Sequence, residues 1–132
     1  MSLRKRSKIL RDRAHEILDS GIIEDERWFH VTTEDNLFSV LSGGLAPNAA
    51  QANFKGYAEH SAGRVFVVGG LDSAKQWARI MRSRGLDPVI LEVTRDLYDD
   101  VFYDEEGSRE IEGSFFVKKS IPVSQLRRLK AL

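Results

Sequence analysis

The chain contains no cysteine. That removes thiolate nucleophiles, disulfide frameworks and cysteine metal sites, and it fits a reducing compartment. No window approaches the ~20 consecutive apolar residues of a membrane span. The opening Met1-Ser2-Leu3-Arg4-Lys5-Arg6 lacks the apolar segment that a secretion signal needs. A cytoplasmic protein with no membrane partner is the expectation. Net charge is also missing, because twenty basic residues balance twenty acidic ones, so overall charge implies no polyanionic partner. There is no phosphate loop, since Gly43-Gly44 and Gly69-Gly70 lack the spaced glycines and lysine that cradle phosphates. There is no Gly-x-Ser-x-Gly nucleophile elbow. His15, His30 and His60 do not fall at metal-ligand spacing, so no metal is expected.

At 132 residues and 42% hydrophobic, the chain is long enough to bury one core, and a single domain is expected over residues 1–132. Charge is distributed unevenly along it. Arg4, Lys5, Arg6, Lys8, Arg11 and Arg13 crowd the start, Asp99, Asp100, Asp104, Glu105, Glu106, Glu110 and Glu112 crowd residues 99–112, and residues 118–130 are basic again. Solvated faces account for most such runs, although basic ends could also grip RNA or a protein.

Periodicity divides the chain. Residues 5–19 read as an amphipathic helix with a basic leading turn, ended by Gly21, within an N-terminal basic segment 1–20. A strand is expected over 27–32. A helix over 34–42 would be capped by Thr32 or Thr33, carry Glu34 and Asp35 in its first turn, and close at Gly43-Gly44. Residues 46–63 show no clean period and read as a long loop of the kind that carries function. A strand over 64–68 follows, then a helix over 73–84 capped by Asp72, with Ala74, Trp77, Ala78 and Met81 inward. Pro88–Thr94 and Phe115–Val117 read as strands, and Ser124–Leu129 as a final strand or helical turn. Short strands with few helices indicate an α+β class. Glu110 and Glu112, spaced at the strand period, would share one face.

His30 is the costly residue of the first strand, because a buried imidazole must find hydrogen-bond partners or line a cleft. It opens an ordered series that resembles the ADP-ribosyltransferase-like superfamily, near its small bacterial members and its RNA 2'-phosphotransferase branch. The likeness rests on His30-Val31-Thr32, Gly44-Leu45-Ala46-Pro47, Val65-Phe66-Val67, Trp77-Ala78, Leu91-Glu92-Val93, Glu112, Phe115-Phe116 and Ile121-Pro122. It covers about residues 27–129.

The resemblance implies a split, mostly antiparallel β-sheet with a few flanking helices and NAD as substrate. His30 would bond the adenosine ribose, Thr32 would line the nicotinamide side, and Tyr57 would stack on the nicotinamide. Glu112 would stabilise the oxocarbenium-like transition state by a fixed negative charge. Glu110 would activate a macromolecular acceptor, protein or RNA, although Glu105 and Glu106 lie in the same charged segment. Two other readings accompany this one. The first is a non-catalytic nucleotide-, RNA- or protein-binding regulatory domain on the same scaffold. The second is a phosphotransferase-like enzyme using Arg64, Arg109 or His60 beside His30.

Overall fold

The computed structural model of the chain describes residues 2–47 and 63–129. The first helix, α1 (Leu3–Asp19), starts where the Ser2 hydroxyl accepts from the Lys5 amide at 3.2 Å. This is a cap of the expected type. Strand β1 (Trp28–Thr33) runs into helix α2 (Glu34–Gly43), and β2 (Val65–Gly69) turns through Gly70 into α3 (Leu71–Ser83). The remaining strands are β3 (Pro88–Val93), β4 (Phe102–Tyr103), β5 (Ser114–Val117) and β6 (Leu126–Arg128). Single 3₁₀ turns over Gly107–Arg109 and Val123–Gln125 precede the last two.

The result is an α+β fold: a six-stranded sheet in the order β4-β5-β2-β1-β3-β6, every neighbour antiparallel. Side chains alternate across it. One face buries Trp28, Val65, Val67, Val89, Leu91, Val93, Phe115 and Val117 against Leu37 and Val40 of α2, with Leu97, Val101 and Ile121 closing the layer. The opposite face buries Phe29, Val68 and Ile90 against Ala74 and Ala78 of α3, whose small side chains let the helix lie close. Helix α1 covers the β4 edge, where Leu10 packs with Phe102 and Phe116. Among the described residues, no helix is long and apolar enough to cross a membrane.

Several expectations from the sequence change here. Asp72 does not cap α3. The helix starts two residues earlier, Gly70 (φ +88°) occupies the cap position, and the Leu71 amide donates to Asp25 Oδ2 at 2.9 Å. Thr33 holds the cap position of α2 without a side-chain bond, and the Glu34 amide finds the Asp87 carbonyl instead. Gly44 closes α2 as expected, for a steric reason: a Cβ there would lie 2.5 Å from the Ile121 carbonyl oxygen. Residues 124–129 divide between a 3₁₀ turn and a strand. His15 is half-buried, with its ring stacked 4.3 Å from Tyr98 and Nε2 2.8 Å from the Tyr98 carbonyl. Nor is the acidic run simply a solvated face. Asp104 is buried and accepts from the Gly107 amide at 2.9 Å.

Asp25 also binds Arg27 through its amide, Nε and Nη2, at 3.0, 2.9 and 2.9 Å. The Arg27 side-chain bond is the largest cause that holds its carboxyl at about 2, against an ordinary 3.8, outweighing the desolvation that opposes it. A depressed folded pKa stabilises the fold fully above the unfolded value. That contribution is lost as pH falls through about 2. Asp25→Ala is expected to cost about 1 kcal/mol at pH 7, the usual scale of a lost helix cap. In urea unfolding curves, the gap between wild type and variant should close as pH drops from 4 to 2, about the window between the unfolded and folded titrations.

Candidate functional site

The sheet is joined at its centre by very little. Strand β1 pairs with β3 over Trp28↔Val93 through Thr33↔Pro88, but with β2 at only Trp28↔Gly69 and Phe29↔Val68. Beyond Val68, β2 is paired with β5, as far as Val65↔Val117. Two half-sheets, β1-β3-β6 and β2-β5-β4, therefore meet along a short seam.

His30 is the first residue past that seam. Its Nδ1 lies 2.6 Å from the Phe66 carbonyl oxygen. A carbonyl can only accept, so Nδ1 carries the proton and donates, and Nε2 of the neutral ring is left as an acceptor. Nε2 has no hydrogen-bond partner among the described residues. Desolvation pushes the imidazole below its ordinary 6.5, and the bond to Phe66 opposes the shift without cancelling it. The seam thus holds a neutral imidazole with one free acceptor.

The other residues singled out in the sequence lie in varied settings. Thr32 shares the His30 face of β1, opposite Val89, and is 3% exposed. Arg64 precedes β2, with its guanidinium 4.0 Å from the Phe116 ring centroid and ion-paired to Glu105, which also binds Arg6 at 2.9 Å. Arg109 pairs with Glu106 at 3.4 Å. Neither arginine is held beside His30. Tyr57 and His60, with most of loop 46–63, lie outside the described residues.

Glu110 and Glu112 do not alternate on a strand. They flank buried Ile111 in the turn before β5, and both are exposed. Gly113 gives that turn its shape. Its φ is +86°, and a Cβ there would approach Ser73 Oγ to 2.8 Å. Ser73 in turn donates to the Glu112 carbonyl at 2.7 Å, tying the turn to the first turn of α3. Glu112 and His30 lie on separate elements, the turn before β5 and strand β1, with β2 between β5 and β1. No hydrogen bond or ion pair joins them among the described residues.

A groove of about 750 Å³ opens at the seam's lower end, lined by Asp19, Asp25, Trp28, Glu92, Arg95 and Tyr98 among others. None of the sequence-selected site residues among the described residues lines it. Much of its polar chemistry is already engaged. Trp28 Nε1 donates to Asp96 at 3.2 Å, Arg127 pairs with Glu92 at 2.6 Å, and the Tyr98 phenol donates to Asp19 at 2.8 Å. The Asp19 bond also raises the Tyr98 titration above its ordinary 10.0. Sequence reading missed this groove because its members converge from distant segments with no local motif. Among the described residues, no group of three or more His, Asp and Glu side chains could hold a metal ion.

Comparison with known proteins returns no matching family model and no matching curated sequence.

In ¹³C-resolved NMR titrations the His30 ring is expected to ionise below 6.5 while retaining its Nδ1 proton above that titration. Because the folded value is depressed, the His30 contribution to stability is complete above 6.5 and is lost as pH falls through the folded titration. A His30 titration at or above the ordinary value would overturn the assignment.

Proposed function

We propose that the domain binds NAD across the seam between β1 and β2 and transfers ADP-ribose to a macromolecular acceptor. One observation carries the reading: the His30 Nε2, without a hydrogen-bond partner among the described residues, past a two-residue ladder. A neutral imidazole whose Nδ1–H is fixed by a backbone carbonyl offers a single oriented acceptor. A ribose hydroxyl is a donor that fits it. The division of the sheet into two half-sheets supports the split architecture that the ADP-ribosyltransferase resemblance implies, a resemblance that rests on the order of motifs along residues 27–129.

In this reading the nicotinamide leaves with the electron pair of the N-glycosidic bond, which neutralises its pyridinium ring. The positive charge that builds on the ribose is stabilised by the Glu112 carboxylate, on the turn that Gly113 and Ser73 fix against α3. An acceptor lone pair then forms the new bond at the anomeric carbon, and Glu110 takes the displaced proton. Tyr57 and Thr32 would flank the nicotinamide.

A second reading, nucleotide binding without transfer, is favoured by the exposure of Glu110 and Glu112, since a carboxylate in water stabilises developing charge weakly.

Calorimetry with NAD should give binding in the micromolar to sub-millimolar range. His30→Ala should weaken it about tenfold, the ~1.4 kcal/mol of one good hydrogen bond. Glu112→Gln should leave binding intact while lowering nicotinamide release about a hundredfold or more, the scale of one lost electrostatic contact. Binding with no release in wild type selects the second reading. No heat at millimolar NAD sinks both.

A further inference from the structure

The fold brings together two basic segments that the sequence keeps far apart. Lys118, just past β5, donates from Nζ to Ser7 Oγ of α1 at 2.6 Å, across 111 positions of chain. Its ammonium sits 4.5 Å from the Phe102 ring centroid, and the Arg11 guanidinium sits 4.7 Å from the same ring. Two cations are thus anchored on one aromatic side chain of the β4 edge. Neither Arg11 nor Lys118 forms an ion pair among the described residues, and Arg4 has none either.

Arg4, Lys8 and Arg11 recur at i, i+4 and i+7, so they form one stripe along α1. Lys8 is engaged only with Asp12 in an exposed pair, a contact worth little in water and readily exchanged. The stripe is about 10 Å long, the axial distance over which one nucleic-acid strand presents about three phosphates. Like charges held close, with Asp12 as the one carboxylate paired to the stripe among the described residues, raise the local potential although the whole chain is neutral.

We infer that the α1–Lys118 surface binds the phosphate backbone of a nucleic acid, with Arg4, Lys8, Arg11 and Lys118 as the contacting cations. A lipid surface is the weaker match. Of the exposed apolar side chains of α1, Ile9 falls well round the helix from the stripe and Leu3 alone, one turn before Ser7, lies on the Lys118 side, which is short of the broad apolar face of a membrane-surface helix. The surface stands apart from the seam and does not depend on NAD chemistry.

The test is fluorescence anisotropy of the full chain with a labelled 20-nucleotide RNA, a DNA duplex of the same length, and anionic phospholipid vesicles. Four phosphate contacts predict an affinity for duplex that falls about 100-fold between 50 and 200 mM salt. Arg11→Gln with Lys118→Gln should flatten that fall to about tenfold and weaken binding at the lower salt. A charge-matched control, Arg79→Gln with Arg82→Gln on exposed α3 positions, should bind like wild type. RNA preferred over duplex, or the reverse, identifies the natural strand type; either supports the surface. The inference is overturned by absent binding to both nucleic acids at 50 mM salt. Equal loss in the control variant, or vesicle binding that exceeds both nucleic acids and depends on Arg11 and Lys118, overturns it as well. Unchanged thermal unfolding of both variants keeps the comparison one of charge.

Discussion

The Asp25 carboxylate is the joint on which the arrangement turns. It lies in an irregular connection, yet it accepts from the Arg27 amide and guanidinium and from the first amide of α3. The entry of β1 is thereby fixed to the exit of β2. The Gly70 amide reinforces this by donating to the Arg27 carbonyl at 2.9 Å. Both the cap of α3 and the register Trp28↔Gly69 follow from this one charge-assisted cluster. A carboxylate that satisfies several donors and stays ionised under acidic conditions is strongly held. It also explains how a helix can begin on Leu71 with no capping side chain beside it.

Much of the fold was legible in the sequence because the decisive signals were local. The aromatic and β-branched run at Trp28–Thr33, the alternation at Val65–Val68 and the glycine stops after α2 and α3 each specify their element within a few residues. The missing parts were fixed by tertiary contacts. Strand β4 is two residues inside an acidic stretch, and it exists because Phe102 and Tyr103 pair with Phe116 and Phe115 while α1 lies over them. Asp25 caps a helix 46 positions away, where no local pattern could announce it. Glu110 and Glu112 have the strand spacing but sit in a turn, because Gly113 adopts a backbone conformation that alternation cannot reveal.

The candidate site was legible to a similar degree. His30 stood out because a polar ring on an apolar strand has to be satisfied, and the satisfying group is the carbonyl of Phe66 on the neighbouring strand. Sequence identifies the cost but not the partner, since the partner is backbone and every residue supplies one. Likewise, the basic runs near each end looked like ordinary solvated faces when read separately. Their meeting at Phe102 depends on how α1 crosses the β4 edge. Arg127 and Arg128 of the second run turn away to Glu92 and Glu34.

The two-pair ladder between β1 and β2 also has a mechanical consequence. Opening a sheet costs least where the fewest backbone bonds and side-chain contacts must break together. Apart from the two-residue edge strand β4, which α1 covers, that line runs through the middle of the domain, with β1–β3 and β2–β5 as the stiff halves on either side. A molecule lodged across the line would contact both halves at once. It would be held by them, and it would also splint them, so that occupancy and the rigidity of the whole domain would rise together.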